Sequence, residues 1–140
     1  MASKQDLVVT QKRYVTKIQF NNESAAFNLG ITASAFDPID GLTDGRMTRG
    51  ITNNTAALSS MIWNASGATF GYHLTWAGGT GATAMSLFGP NGNIALERAT
   101  LKNNAVSPTG ILTITPTGIV TGTVILEFVH SSGSLGTYLA

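Results

Sequence analysis

Cysteine is absent from the 140 residues, so disulfides and thiolate metal ligands are excluded. The redox compartment is therefore not readable from the sequence. Charge is scarce: 11% of residues are Asp, Glu, Lys or Arg, against roughly 25% in an average soluble domain. The net charge of +1 argues against a strong polyanion binder, so no specific nucleic-acid partner is expected. No apolar run approaches the roughly 20 residues of a membrane-spanning helix, and no membrane partner is expected. The N-terminal MASKQDL lacks the apolar stretch of a secretory signal. Without such a signal, the glycosylation-type triplets at Asn22, Asn53 and Asn64 read as chance matches.

Motifs that carry chemistry are missing too. There is no G-x-S-x-G, no H-E-x-x-H, no phosphate-binding loop and no dinucleotide glycine pattern. Gly78-Gly79-Thr80-Gly81 is glycine-rich but opens no helix, so it lacks the context for cradling phosphate. The two histidines, His73 and His130, have Glu97 and Glu127 as the nearest carboxylates in sequence. General acid–base chemistry has little material here. The expectation is a protein without catalytic activity and without a cofactor.

The placement of charge says more than its sum. Gly50 to Leu96 contains no Asp, Glu, Lys or Arg, and neither does the stretch between Lys102 and Glu127. A free monomer usually spreads mixed charge over its surface. A chain that does without it either presents a neutral Ser/Thr/Asn surface or hides that surface in an assembly, and assembly is the favoured reading.

What is present is a period of two. Ala68, Phe70, Tyr72, Leu74 and Trp76 share one parity, with Thr69, Gly71, His73 and Thr75 on the other. In a strand this puts an aromatic stripe on one face and small polar groups on the other. Gly67–Ala99 reads as a three-strand meander, with a reversal at Ala77–Gly81 and a turn at Gly89–Gly92 in which Gly92 takes the left-handed position. Arg13–Phe20 is a strand, and Ala25–Ala33 another, with Gly30 a bulge or close approach. Ile51–Asn64 reads as a turn of helix running into a strand. Lys102–Thr109 reads as a linker, and Gly110–Pro116 with Ile119–His130 as a hairpin. The apolar run Thr123–Val129 suggests a strand buried on both faces. About eight short strands predict one all-β domain, an antiparallel β-sandwich or jelly roll, over residues 13–130. Residues 1–12 would be an N-terminal arm tied to its own sheet or to a neighbour, and residues 131–140 a C-terminal tail.

Candidate contact residues sit in the arm, in one loop and in the tail. Leu7, Val8 and Val9 form an apolar patch, and Tyr138 and Leu139 another. The segment 36–50 holds Asp37, Asp40, Asp44, Arg46 and Arg49. Its acids could ligate calcium, but the spacing is not that of an EF-hand loop and Asp-Gly is ordinary turn chemistry. Its arginines could meet a partner's carboxylate or form salt bridges within the loop. Phe70, Tyr72 and Trp76 could stack on sugar, although strict alternation assigns them to the core, and Trp63 with them.

In short length, absent cysteine, sparse charge, Gly/Thr/Ala-rich strands, N-terminal arm and sticky C-terminus, the chain resembles small all-β structural proteins of tailed bacteriophages, above all capsid decoration or cement proteins. The resemblance implies a non-enzymatic virion protein, a homo-oligomer and often a trimer. It would bind the major capsid protein at symmetry axes and stabilise the shell. A tail, neck or fibre component is the first alternative, and a carbohydrate-binding β-sandwich module the second.

Overall fold

Alternating sequence becomes strand throughout the computed structural model, which describes residues 2–9, 13–30, 56–67, 69–96, 101–102 and 104–130. Among these residues there is no helix. The strands, in chain order, are β1 (Ser3–Val9), β2 (Arg13–Glu23), β3 (Phe27–Gly30), β4 (Ala56–Ala65), β5 (Gly71–Thr80), β6 (Ala82–Phe88), β7 (Asn91–Ala95), β8 (Leu101–Lys102), β9 (Val106–Pro116) and β10 (Val120–His130).

Their pairing is a nested hairpin. The chain reverses at Gly81, and strands then pair outward from that point: β5 with β6, β4 with β7, β3 with β9, β2 with β10, all antiparallel. Successive pairs fall in alternate sheets, so the long hairpin is rolled up. The larger sheet runs β1-β2-β10-β4-β7, with β8 also on β4, and the smaller runs β3-β9-β5-β6. This double-sheet arrangement of antiparallel strands is a jelly roll, a form of β-sandwich. Each strand has one apolar face, and stacking the two sheets hides all of those faces at once.

The inner faces supply the core. Tyr14, Ile18 and Phe20 from β2, Val124, Leu126 and Phe128 from β10, and Leu58, Met61 and Trp63 from β4 meet Tyr72, Leu74 and Trp76 from β5 and Leu112 and Ile114 from β9. Two ring contacts cross between the sheets: Phe20 on Tyr72 at 5.2 Å between centroids, and Trp76 edge-on to Phe128 at 6.3 Å. The Tyr72 hydroxyl also crosses, donating to the backbone carbonyl of Asn64 at 2.8 Å. Gly122 makes room for it. A Cβ there would stand 2.6 Å from the Tyr72 hydroxyl and would clash with the Asn64 carbonyl.

One expectation is met: the N-terminal segment is tied to its own sheet, where Ser3–Val9 pairs antiparallel with β2 at the edge. The structure departs from the sequence expectations at several other places. The meander is broken: β5 and β6 form a hairpin, but β7 crosses to the other sheet to pair with β4. The helical turn expected ahead of the strand at Ala56 lies outside the described residues. β5 runs through its glycines to Thr80, because Gly78 and Thr80 pair with Pro108 and Val106 of β9. That pairing also turns much of the expected linker into strand. Gly92 is not the left-handed residue. Gly89 is, at φ 95°, and Gly92 is small because the Trp63 ring lies against it. Gly30 pairs regularly with Ile111, with nothing within 4 Å of the Cβ position. β10 buries one face fully and the other by half, since Ile125, Glu127 and Val129 remain partly exposed.

Replacing Gly122 with alanine should destabilise the protein by about 2–3 kcal/mol, because backbone and the Tyr72 hydroxyl must both move. Gly30→Ala, with open space at that position, should stay within about 0.5 kcal/mol of wild type. Urea unfolding midpoints of the two variants check the contrast, and equal midpoints would contradict the packing described.

Candidate functional site

Charge divides between the sheets. Lys4 and Asp6 lie in β1, Arg13, Lys17 and Glu23 in β2, Lys102 in β8 and Glu127 in β10. All of these strands belong to the larger sheet. The strands of the smaller sheet, β3, β5, β6 and β9, contain no Asp, Glu, Lys or Arg. The two outer faces of the sandwich therefore have different chemistry.

On the larger sheet, Glu127 is held from two sides. Its carboxylate pairs with the Arg13 guanidinium and accepts a hydrogen bond from the Ser60 hydroxyl at 3.1 Å. Ser59, beside a bulge in the β4–β10 pairing, donates to the Glu127 backbone carbonyl at 3.2 Å. Ser59, Ser60, Ala95, Glu127 and Val129 line a shallow cavity of about 300 Å³. The carboxylate there is already neutralised by its partners, so the cavity offers a ligand mainly apolar wall. No group of three or more His, Cys, Asp or Glu side chains is placed to hold a metal ion, among the described residues.

A second polar cluster pins the edge strand. The Tyr14 hydroxyl donates to the Asp6 carboxylate at 2.6 Å, Thr16 donates to the same oxygen at 3.0 Å, and the Lys4 ammonium donates to the Tyr14 oxygen at 3.2 Å. Burial pushes the Tyr14 phenol above its ordinary pKa, and the bond to Asp6 adds to the shift. Burial alone would lower the Lys4 ammonium, but the Tyr14 oxygen and the Asp6 carboxylate together hold it above its ordinary value.

The outer face of the smaller sheet is hydroxyl-rich and uncharged. Asn28, Thr113, Thr75 and Thr83 stand opposite one another in a row across its strands. Thr113 donates to the Asn28 side-chain oxygen at 2.9 Å. The next row places Thr115, His73 and Ser86 side by side. His73 Nδ1 and the Ser86 hydroxyl share a hydrogen bond of 2.8 Å, and the His73 ring meets Phe88 edge-on at 5.4 Å. Phe88 is 53% exposed.

Of the contact residues expected from sequence, Leu7 is exposed on the edge strand, Val8 is half-buried opposite Val15, and Val9 pairs with Tyr14. They are side by side in one strand, but as part of the molecule's own sheet. Asp37, Asp40, Asp44, Arg46, Arg49, Tyr138 and Leu139 lie outside the described residues. Tyr72 and Trp76 are buried, and Trp63 nearly so, which withdraws them as a sugar-stacking platform. Sequence reasoning did not single out the His73–Ser86–Phe88 group or the threonine row. The charge-free stretches supply strands to both sheets, and only the strand order shows that β3, β5, β6 and β9 make one sheet without a charged residue.

Tyr72 is pushed up to about 12 by burial, from 10.0. Tyr14 and Lys4 are raised as well, so all three stabilise the fold below pH 10 and lose that contribution as pH rises. The urea midpoint should hold up to about pH 10 and fall between 10 and 12. Tyr72→Phe should lower the midpoint by about 1 kcal/mol at neutral pH through loss of the Asn64 bond, yet flatten the alkaline decline. An unchanged alkaline slope in that variant would remove Tyr72 as its cause.

Compared with known proteins, the chain matches no protein-family model and no curated protein sequence.

Proposed function

We propose that this protein is a non-enzymatic structural subunit of a virion, a decoration or cement protein that binds the major capsid protein and stabilises the shell. The observation that carries the assembly part is the charge-free smaller sheet. A face meant for water gains solubility from mixed charge. A face meant to be covered does better without it, because an ion buried without its partner costs several kcal/mol. Threonine, serine and asparagine keep such a face wettable before docking and can hydrogen-bond across a contact afterwards.

The virion part rests on the resemblance of the whole chain to phage decoration proteins. The jelly roll supports it as analogy, since viral capsid domains use that architecture, and so do lectins. The lectin alternative draws little from the molecule, because its three candidate stacking rings are in or beside the core. His73 has Ser86 and Phe88 around it, and its sheet has no carboxylate to orient an imidazole as a base. That favours the structural reading over an enzyme. The resemblance also implies a homo-oligomer, with a trimer as its usual form. Many weak copies on one shell then add up through multivalency.

Capsids assembled from the major capsid protein of the same virion provide the test. The purified protein should co-sediment with them at saturable stoichiometry and raise their disruption temperature. Binding instead to isolated tails would favour the tail, neck or fibre alternative. Binding to neither particle, together with retention on a glycan array, would overturn the structural reading in favour of a carbohydrate-binding module.

A further inference from the structure

We propose that β6 pairs with β6 of a second copy of this chain across a two-fold axis, joining two smaller sheets into one continuous uncharged sheet. This rests on the assembly reading above and names the surface that would carry it.

The argument starts from how the sheet edges are finished. Exposed edges invite pairing with another chain, and proteins blunt them with charge, brevity, proline or bulges. In the larger sheet, β1 carries Lys4 and Asp6 turned towards Tyr14 and Thr16, and a register shift between Asp6 and Val8. At the opposite edge β7 is five residues long and β8 two. In the smaller sheet, β3 is four residues long. β6 differs from all of these. It has seven residues, Ala82 to Phe88, with no charge and no proline, and pairs on one side only, with β5, among the described residues. Its one irregularity is the register shift that leaves Ala84 unpaired, and Met85 to Phe88 continues regularly beyond it.

A second copy is the partner that fits this strand. An uncharged strand meets itself with no like-charge repulsion, and a two-fold axis makes the contact self-complementary and closed. Residues directly opposite each other in an antiparallel pair share a face. An axis at Leu87 therefore sets Ser86 of each copy opposite Phe88 of the other, on the outer face. Each Phe88 ring, now 53% exposed, would move from water onto the partner copy's Ser86 and His73. The threonine rows of both copies would then run side by side on one neutral surface.

Light scattering of the full-length protein at several concentrations tests this, with Ser86→Lys and Phe88→Lys as variants. Both side chains are exposed, so the fold should tolerate them, which circular dichroism checks. The expected result is a dimer for wild type and about half that mass for each variant. A monomeric wild type at high concentration would overturn this proposal, and failure to co-sediment with capsids as well would overturn the assembly reading with it. A trimer, or a dimer that both lysine variants leave intact, would overturn β6 pairing and leave assembly standing. Amide hydrogen exchange on wild type serves if the variants misfold. Protection along both sides of Met85–Phe88 is expected, and free exchange on the side facing away from β5 would overturn the pairing.

Discussion

The fold depends on one crossing between its sheets: Tyr72 reaching from β5 to β4 over Gly122. The ring packs on Phe20 at 5.2 Å and the hydroxyl donates to the Asn64 carbonyl at 2.8 Å. Stacked sheets stand about 10 Å apart, so few polar side chains on one can reach backbone on the other. Tyrosine has the length, and its position opposite a glycine gives it the room. The bond also satisfies a phenol that has left water entirely, which would otherwise cost about 1–3 kcal/mol. One contact thus sets spacing, register and polarity together. Gly122 pairs with Phe20 on one side and Ala65 on the other, so the same three strands hold both the ring contact and its clearance.

The two sides of the sandwich are built on different principles. On the larger sheet, ions are paired, with Glu127 between Arg13 and Ser60 and Asp6 between Lys4 and Tyr14. Exposed pairs of this kind add little to stability. Their value lies in keeping that face in water and its edge strand in place. On the smaller sheet the same space is given to hydroxyls and one imidazole. A surface assembled this way has solubility on one side and a low desolvation cost on the other.

Alternation made much of this legible in advance. The stripe Tyr72, Leu74, Trp76 reads as core from parity alone, and it is core. β6 runs from Ala82 to Phe88 as its glycine boundaries predict. The misreadings arose where pairing is long-range. A glycine run looks like a turn until a distant strand, β9, hydrogen-bonds along it. A Gly-Pro-Asn-Gly turn cannot announce that the next strand will leave its sheet. Gly92 looked like a turn residue, but its smallness serves Trp63 in the neighbouring strand. As for the surface, the charge-free stretches were visible as segments. That four uncharged strands, β3, β5, β6 and β9, make up one whole sheet is a property of strand order, which no local pattern encodes.

The nesting of the hairpin explains why the neutral edge falls where it does. When a long hairpin is rolled into two sheets, its innermost pair must end beside a sheet edge, because nothing lies further inside to pair with it. Here that pair is β5 and β6. The outermost pair, β2 and β10, would leave β2 open in the same way, but β1 covers it. β1 contributes little to the core, since Ser3 to Leu7 are exposed. It covers β2 with an edge strand whose Lys4 and Asp6 side chains turn towards Tyr14 and Thr16. Charge on such a strand opposes intermolecular pairing. Among the described residues, one end of the roll is covered by a charged strand and the other is not, so the two edges are finished differently.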